Sequence, residues 1–368
     1  MKRLFKFILS IINIAVVTAL IFSGYGGHFN PETSSIPGIA LMLFPAILLA
    51  TILLMLADLI LCRRMAFVPA FALLICAVPI WNFCPVNINT PYPKEDTTTF
   101  TLLTYNTYNF DNFSSTDSTG YNSTIATILD SDADIVCLQE ALENAPSAWT
   151  QYGQLTDSIL SRYPHRLHGP KSLTIWSRYP LTNVMMTQPD DPSGMFMCAK
   201  VDINGSELTL YNVHLQSLGL SNTDKELYGS ITRRPTTHKL ETARNGLISK
   251  LSQAMKQRAL QARSLRSQID SIQGSNIIVA GDFNDIEDCY AQRLIEGKNL
   301  HSVFSTVGCG PTMTYYANRF FFNIDHILYG GGIQALGYHR GNSRASDHYP
   351  VSGTFTIPGQ PSLKQRHK

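Results

Sequence analysis

Short polar motifs follow several hydrophobic segments between residues 100 and 350. They are Tyr105-Asn106, Gln139-Glu140, Asn212-x-His214, Gly281-Asp282-Phe283-Asn284, Asp325-His326 and Ser346-Asp347-His348. Each motif alone is a weak signal, because a single Asp or His after a strand is ordinarily a cap or a turn residue. Together they supply carboxylate, imidazole and amide groups that the ends of strands can gather at one rim.

The chemistry that these groups suit is attack of water on a phosphate ester. Glu140 and Asp347 are hard oxygen ligands of the kind that Mg²⁺ or Mn²⁺ prefers. The acid–base groups are Asp282, Asp325, His214 and His348, and the neutral donors are Asn106, Asn212 and Asn284. A metal ion and these donors would stabilise charge on oxygen, while one base activates water and one acid protonates the leaving oxygen. No Cys–His spacing in the sequence suggests zinc.

The elements that must position these groups are predicted from hydrophobic patterns. Apolar alternation or short apolar runs predict strands near residues 99–106, 133–139, 173–177, 195–203, 208–213, 276–280, 324–328 and 351–357. Asn204-Gly205 predicts a hairpin turn, and a helix is predicted from about Tyr121 to Leu129. The fold class is therefore α+β, with two packed sheets and helices outside them.

One long helix is predicted from about Thr237 to Ser271. Its apolar residues fall within one stripe, so we expect the helix to pack on a sheet. The stripe consists of Leu240, Leu247, Ile248, Leu251, Met255, Ala262, Leu265 and Ile269. Arg258 also falls inside it, and a buried guanidinium needs a carboxylate partner. We expect a structural ion pair there rather than a contact with substrate.

The first ninety residues contain three uncharged apolar runs. A bilayer core of about 30 Å requires about 20 apolar residues as a helix, so we expect about three transmembrane helices, near residues 7–25, 36–61 and 66–83. The alternative for the first run is a cleaved signal peptide, since Lys2-Arg3 and Lys6 precede it. No convincing cleavage site precedes Gly24, which favours a retained helix.

The distribution of positive charge predicts the orientation of these helices. Lys2, Arg3 and Lys6 precede the first run and Arg63-Arg64 follow the second, so we expect both of these ends in the cytoplasm. The loop between the first two runs has no Lys or Arg. Everything after the third run then lies outside. We therefore expect a protein of the cell (inner) membrane whose large domain is on the periplasmic or extracytoplasmic side.

The rest of the chain is expected to be one domain on a linker. Residues 1–84 form the membrane region, residues 85–99 predict an extended linker rich in Pro, Asn and Thr, the domain spans 100–357 and a tail follows at 358–368. Residues 91–368 hold 24 basic and 25 acidic residues. This balance excludes a protein that is held to nucleic acid by bulk charge. An oxidising compartment would permit a disulfide bond between Cys289 and Cys309, which the sequence leaves open.

The motifs, taken in order, resemble the endonuclease/exonuclease/phosphatase superfamily. The matching segments are Leu103-Thr104-Tyr105-Asn106, Asp134-Ile135-Val136-Cys137-Leu138-Gln139-Glu140, Ser177-Arg178-Tyr179-Pro180, Asn212-Val213-His214-Leu215, Gly281-Asp282-Phe283-Asn284, Ile324-Asp325-His326-Ile327 and Ser346-Asp347-His348-Tyr349-Pro350. The resemblance covers about residues 100–357 and says nothing about residues 1–99. It implies a four-layered α/β sandwich of two packed mixed β-sheets flanked by helices, with the site at the rim between the sheets.

The resemblance also implies which residues hold the metal and the phosphate. Glu140 would be the principal ligand of Mg²⁺ or Mn²⁺, with Asn106 and Asp347 beside the ion. Asp282 would position or deprotonate the attacking water. Asn284 would hold the phosphate.

The remaining motif residues would act on the phosphate and the leaving group. His348 would contact the phosphate, with Asp325 fixing its tautomer. His214 would donate to the phosphate or the leaving group, with Asn212 in support. His326 has no assigned part in the reaction, and we expect it to pack or to support its neighbours.

The function expected from the sequence is a membrane-anchored, metal-dependent phosphoric ester hydrolase. Members of the family cut DNA, RNA, sphingomyelin and inositol phosphates, so nucleic acid and a phospholipid headgroup both stay open as substrates. We expect the segment Asn222–Arg234 to shape the substrate pocket, and the bilayer to be the other partner; no protein partner is implied. The alternative is a catalytically silent, membrane-tethered binding or scaffold protein on the same fold.

Overall fold

The computed structural model describes residues 2–89, 91–110, 122–141, 159, 161–186, 195–219, 237–272, 274–317 and 322–359 of the 368-residue chain. The N-terminal region is helical. Its helices are α1 (Lys2–Gly24), α2 (Ile36–Leu41), α3 (Phe44–Leu61), α4 (Phe67–Ile75) and α5 (Ala77–Phe83), with a short 3₁₀ helix at Gly26–His28. In the described part of this region, Arg3–Gly24 and Phe44–Leu61 are long and apolar enough to cross a membrane.

The third apolar run is not one helix. The described chain therefore has two long apolar helices, whereas the sequence predicts about three. It is divided at Cys76 into α4 and α5. A continuous helix would need an N–H at position 79 to donate to the carbonyl of Ile75, and Pro79 has none. The Tyr25 hydroxyl donates to that carbonyl instead, at 2.6 Å. The break therefore follows from the proline, and Tyr25, directly after α1, stabilises it.

The N-terminal region is docked on the rest of the chain. Trp81 Nε1 donates to the carbonyl of Ser305 at 3.0 Å, and the hydroxyls of Ser35 and Ser252 are 2.8 Å apart. Gly27 lies so close to the second part of the chain that a Cβ there would be 1.8 Å from the carbonyl oxygen of Asp288. The linker is also attached, because Val86 forms a β-bridge with residue 309.

Two six-stranded mixed sheets form the body of the molecule. The first has the order β11-β12-β1-β2-β4-β3 and the second the order β5-β6-β7-β8-β10-β9. In chain order the strands are β1 (Thr97–Asn106), β2 (Ile135–Gln139), β3 (His165–His168), β4 (Thr174–Ser177), β5 (Leu181–Met186), β6 (Phe196–Ile203), β7 (Ser206–His214), β8 (Asn276–Asp282), β9 (Leu300–Ser302), β10 (Asp325–Gly330), β11 (Gln334–Arg340) and β12 (Val351–Pro358). The remaining helices are α6 (Ser123–Asp130), α7 (Thr237–Ser271), α8 (Tyr290–Glu296) and α9 (Val303–Val307).

Side chains alternate between the two faces of each strand, and this alternation produces the layers of the fold. Along β2, Ile135 and Cys137 point into the core between the two sheets, whereas Val136 and Leu138 point to the outer face that α6 covers. On the far side of the second sheet, α7 packs in the same cluster as strand residues such as Val279. The order helix, sheet, sheet, helix confirms the predicted four-layered sandwich.

The long helix α7 has the bounds that its hydrophobic period predicts. Ala262, Leu265 and Ile269 of its apolar stripe are fully buried against the second sheet. Arg258 is buried in the same stripe, as expected, and its guanidinium pairs with Asp285 at 2.9 Å. The predicted structural ion pair is present.

The cysteines are not joined. Cys289 is buried and caps α8, where its sulfur accepts a hydrogen bond of 3.4 Å from the N–H of Gln292. Cys309 is an exposed free thiol. The Cys289–Cys309 disulfide that the sequence left open is not formed, since one thiol is buried and the other is exposed.

Candidate active site

Strand register brings the predicted residues to one rim. The parallel pair β1 and β2 places Asn106 opposite Gln139, and Glu140 follows directly. In the second sheet, β7, β8 and β10 place His214, Asp282 and Asp325 side by side. The chain then turns, and Glu140 adopts a left-handed backbone with φ 51°. Such a conformation is uncommon for a residue other than Gly.

One glycine is required for this register. A Cβ at Gly281 would lie 1.9 Å from the carbonyl oxygen of Val213, and the glycine has φ 152°. The missing side chain lets β8 lie close against β7. Asp282 and His214 therefore end their strands at the same level.

Asn106 connects the two sheets at the rim. Its side-chain Nδ2 donates to Oε1 of Glu140 at 3.2 Å and to Oδ2 of Asp282 at 3.0 Å. Its Oδ1 accepts from the N–H of Tyr108 at 3.2 Å. One amide thus holds two carboxylates that come from different sheets.

A His–carboxylate pair lies on the other side of Asp282. Nδ1 of His348 donates to Oδ2 of Asp325 at 2.8 Å, and Nε2 of the same ring is 3.8 Å from Oδ2 of Asp282. The hydroxyl of Ser346 donates to the carbonyl of Asn106 at 2.7 Å. This bond ties the loop that carries His348 to the end of β1.

The electrostatics of this pair favour a charged imidazole. Burial opposes the charge, but Asp325 and then Asp282 outweigh that cost and raise the pKa of His348 to about 10. Burial also raises the pKa of the Asp282 carboxyl above its ordinary value, although the charge of His348 opposes this effect. His348 is therefore arranged as a proton donor, and Asp282 as a carboxylate that gains stability from taking up a proton.

His214 and Asn284 complete the rim. Nε2 of His214 lies 3.7 Å from Oδ2 of Asp282 and 3.9 Å from Oε1 of Glu140. The N–H of Asn284 donates to Oδ1 of Asp282 at 2.8 Å, and its Nδ2 donates to the carbonyl of Leu215 at 3.0 Å. Hydrogen bonds thus hold Asn284 next to Asp282, and strand pairing places His214 beside the same carboxylate.

Asn212 lies beneath the rim rather than at it. It is fully buried, and its Nδ2 donates to the carbonyls of Leu138 and Thr174 at 2.9 Å each. Its Oδ1 accepts from Nε2 of Gln139 at 2.7 Å. Asn212 therefore joins the sheets below the site, and its support of His214 stays a prediction.

A cavity of about 260 Å³ opens above these groups. Its polar wall contains Glu140, Asp282, Asn284, Asp347 and His348. Several carboxylates on one wall form a donor set that a hard divalent cation fits, because such ions prefer carboxylate and carbonyl oxygen. The residues present are thus compatible with Mg²⁺ or Mn²⁺.

Two acidic clusters compete as the place for such an ion. Asp282, Asp325 and His348 have potential ligand atoms within 4.8 Å of one another. However, His348 is in contact with both carboxylates and favours its charged form, and an imidazolium has no lone pair for a metal. The assignment of Glu140, Asp347 and Asn106 to metal binding stays a prediction.

His326, which has no catalytic part assigned from the sequence, is structural. Its Nδ1 is 2.9 Å from Oε2 of Glu287, and its Nε2 is 2.9 Å from the carbonyl of Asp285. The ring is buried and both nitrogens have partners. His326 thus fixes the loop that follows Asn284, as the expectation of a supporting role requires.

Sequence reasoning missed residues that position the site. The hydroxyl oxygen of Thr314 accepts from the N–H groups of Ile324 and Asp325, at 2.9 and 3.0 Å. The ring of Tyr315 packs on that of His348, with centroids 5.0 Å apart. Neither residue lies in a motif, and no pattern in the sequence indicates their position. The segment Asn222–Arg234, expected to shape the pocket, lies outside the described residues.

These strand-end carboxylates, amides and imidazoles on a sandwich of two sheets define a class of protein. Residues 103–348 match the model of the endonuclease/exonuclease/phosphatase family, and the chain belongs to that family. A second model, a domain of unknown function, matches residues 5–83. None of the curated proteins matches the chain.

Solved structures that are similar to this chain have low sequence identity to it. Truncated TDP2 from Caenorhabditis elegans is 14% identical, with 70% of this chain and 98% of that chain covered and a TM-score of 0.47. An endonuclease/exonuclease/phosphatase from Bacteroides vulgatus is 16% identical, with 70% and 98% covered and a TM-score of 0.48. The protein from Beutenbergia cavernae is 19% identical, with 72% and 73% covered and a TM-score of 0.49.

Proposed function

We propose that this protein is a membrane-anchored, divalent-metal-dependent phosphoesterase that hydrolyses its substrate with an activated water molecule. The observation that carries the proposal is the rim itself, where Asn106 holds Glu140 and Asp282 together and the His348–Asp325 pair lies beside them. Membership of the endonuclease/exonuclease/phosphatase family supports the reaction class.

The acidic wall of the cavity would hold the cofactor. Glu140 and Asp347 would bind Mg²⁺ or Mn²⁺, with Asn106 beside it. A bound cation supplies positive charge that stabilises the phosphate oxygens. Asn106 also keeps Glu140 in place through its N–H, so its loss would disturb the ligand as well as the carboxylate of Asp282.

The other groups would move protons and hold the phosphate. Asp282 accepts a proton from the water whose oxygen attacks phosphorus, because its burial favours the protonated carboxyl. His348, oriented by Asp325, donates to a phosphate oxygen, and Asn284 contacts the same group. The bond from phosphorus to the leaving oxygen breaks, and His214 gives that oxygen its proton.

The membrane anchor in this proposal consists of α1, α3 and the broken segment α4–α5, which carries the chain back from Arg63-Arg64 to the domain. Gly24, at the end of α1, and Phe44, at the start of α3, lie towards the catalytic domain, and the basic residues lie at the opposite ends of these helices. By the positive-inside rule, the domain is then on the extracytoplasmic side. Leu20 of α1 is fully buried in a cluster with residues of α7 and β8, which favours a retained helix over a cleaved signal peptide.

The test is an assay of the full chain in detergent with Mg²⁺ against plasmid DNA, RNA, sphingomyelin and inositol phosphates. The controls are EDTA and Glu140→Ala. Cleavage of one substrate class that both controls abolish is the expected result. A folded protein that cleaves none of them would favour the catalytically silent scaffold protein on the same fold.

A further inference from the structure

A second cavity lies beside the active-site cavity and shares part of its wall. It measures about 470 Å³, which is within the range of ligand pockets. Met42, Ile286 and Phe322 line both cavities. A ligand that passes these three apolar side chains would therefore have one end at the catalytic carboxylates and the other in the second cavity.

The second cavity, called the apolar pocket below, lies between the N-terminal helices and the catalytic domain. Its apolar lining includes Leu41, Phe44 and Phe83 from the N-terminal side and Leu247, Ile248 and Leu251 from α7. Glu287 and Asp288 also line it, but they already pair with His326 and Arg293. The walls consequently offer hydrocarbon surface to a ligand.

Part of this hydrocarbon surface is left uncovered by the protein. Ile248 retains 42% of its surface and Leu43 retains 58%. Covering such surface is favourable by about 25 cal/mol per Å² of apolar area. An apolar ligand segment in the pocket would provide that cover.

The pocket also lies where a bilayer would end. Leu43, Phe44 and Pro45, at the domain end of α3, are part of its lining. The opposite end of α3 is followed by Arg63-Arg64. A helix that spans the hydrocarbon core therefore begins at the wall of the pocket, so a lipid chain would have only a short distance to travel from the membrane.

The described walls of the two cavities are acidic and apolar rather than basic. No Lys or Arg is among the described residues that line either cavity. Proteins that bind a strand of nucleic acid place Lys and Arg along its phosphates and aromatic rings against its bases. Here an acidic reaction site adjoins an apolar pocket, and an amphipathic molecule with one phosphate group matches both.

We infer that the apolar pocket binds a hydrocarbon chain of the substrate, so that the phosphate ester cleaved in the neighbouring cavity belongs to a membrane lipid. This inference rests on the proposed function, and it adds the substrate class and the place of its chain. Met42, Ile286 and Phe322 lie at the point where the headgroup and the chain meet.

The kinetic experiment uses the full chain in detergent with p-nitrophenyl phosphodiesters that differ only in an ethyl, octyl or hexadecyl group. We expect kcat/KM to rise about 100-fold or more from the ethyl to the octyl ester, because each added methylene can be buried. Ile248→Asp should lower kcat/KM for the hexadecyl ester far more than for the ethyl ester. The matched control is Leu260→Asp, since Leu260 is 40% exposed on the same helix and does not line the pocket.

A binding experiment keeps the pocket testable if no ester is cleaved. Glu140→Gln protein in vesicles of phosphatidylglycerol is labelled with a phosphatidylglycerol that carries a diazirine near the end of one acyl chain. Expected cross-links map to residues 247–251 and 286 and decrease in the presence of hexadecyl phosphate. Cross-links confined to the outer faces of α1 and α3 would refute the pocket.

The two experiments separate the two proposals. Absence of turnover together with cross-links in the pocket would refute the hydrolase but keep the chain site. Turnover that is independent of chain length and insensitive to Ile248→Asp would refute the chain site alone. Faster cleavage of single-stranded DNA than of the hexadecyl ester would likewise overturn the lipid assignment and favour a nuclease.

Discussion

The side-chain amide of Asn106 donates to Oδ2 of Asp282 across 3.0 Å and thereby joins the two sheets at the rim of the candidate active site. Asn106 ends a strand of the first sheet and Asp282 ends a strand of the second. The same amide also donates to Glu140. The side chain of Asn106 therefore sets the distance between Glu140, the proposed metal ligand, and Asp282, the proposed base.

Replacement of Asn106 should therefore affect both carboxylates. We expect Asn106→Ala to lower kcat/KM about 100-fold or more, the upper range for loss of a group that orients metal ligands. Steady-state assays at several Mg²⁺ concentrations measure the effect. Asn276→Ala is the matched control, because Asn276 lies at the opposite end of β8, where its side chain donates to the carbonyl of Glu207 and accepts from the N–H of Gly332. Equal losses in the two variants would contradict the assignment.

Glu140 is expected to determine metal affinity. Glu140→Gln keeps the shape of the side chain and removes its charge, so we expect Mg²⁺ to bind at least about 10-fold more weakly. Calorimetric titration of Mg²⁺ measures this, and high Mg²⁺ should restore part of the turnover. Glu207→Gln is the control, since Glu207 is exposed and pairs with Lys200 away from the rim. Unchanged affinity in Glu140→Gln would remove this residue from the metal site.

Asp325 is expected to act through His348. In Asp325→Asn the imidazole loses its charged partner at Nδ1. We expect kcat to decrease about 100-fold, because the proton donor is then less often charged and less well oriented. Comparison with His348→Asn and with the double variant checks the coupling. If the two residues act as one unit, the double variant is little slower than His348→Asn. Additive losses would show that Asp325 acts independently.

The sequence predicts the inner strands and misses the outer ones. The strands missing from the prediction are β3, β5, β9 and β11, and each is the edge of its sheet. An inner strand is covered on both sides and shows a clear apolar pattern, whereas an edge strand tolerates polar residues. His165, Arg166 and His168 in β3 illustrate the difference, since none of them is apolar.

Site residues can be predicted from the sequence when their own side chains can take part in the reaction. Residues that only hold other side chains in position cannot be predicted in this way. Glu140, Asp282 and His348 are titratable groups in short motifs, and the structure brings them to one cavity. Thr314 and Tyr315 contribute through contacts made only in the folded chain. The apolar pocket is likewise absent from any motif, because helices and domain form it together.

Asn212 offers a test of the buried connection between the sheets. Asn212→Ala would leave the carbonyls of Leu138 and Thr174 and the Nε2 group of Gln139 without the bonds they now have. Each buried polar group left unpaired costs about 1–3 kcal/mol. We therefore expect a decrease in Tm of at least about 5 °C, measured by thermal unfolding in detergent. Asn342→Ala, at an exposed position that follows β11, should change Tm much less.

The buried pair of His326 and Glu287 should make stability depend on pH. Burial disfavours both charges, but the Glu287 carboxylate raises the pKa of His326, and His326 lowers that of Glu287. Gln292 and Ser302 donate to the Glu287 carboxylate at 2.8 and 2.9 Å. The charge of Asp325 also raises the pKa of His326. Both members are therefore more stable as ions in the folded state than in the unfolded chain.

The sign of the two shifts defines the pH window. The stability that His326 contributes is complete below its unfolded pKa of about 6.5 and is lost as pH rises through its higher folded pKa. The stability that Glu287 contributes is complete above its unfolded pKa of about 4.5 and is lost as pH falls through its lower folded pKa. We expect the Tm difference between the wild type and His326→Asn/Glu287→Gln to be greatest between these values and to shrink towards alkaline pH. A difference that is constant from about pH 5 to 9 would show that the pair is neutral.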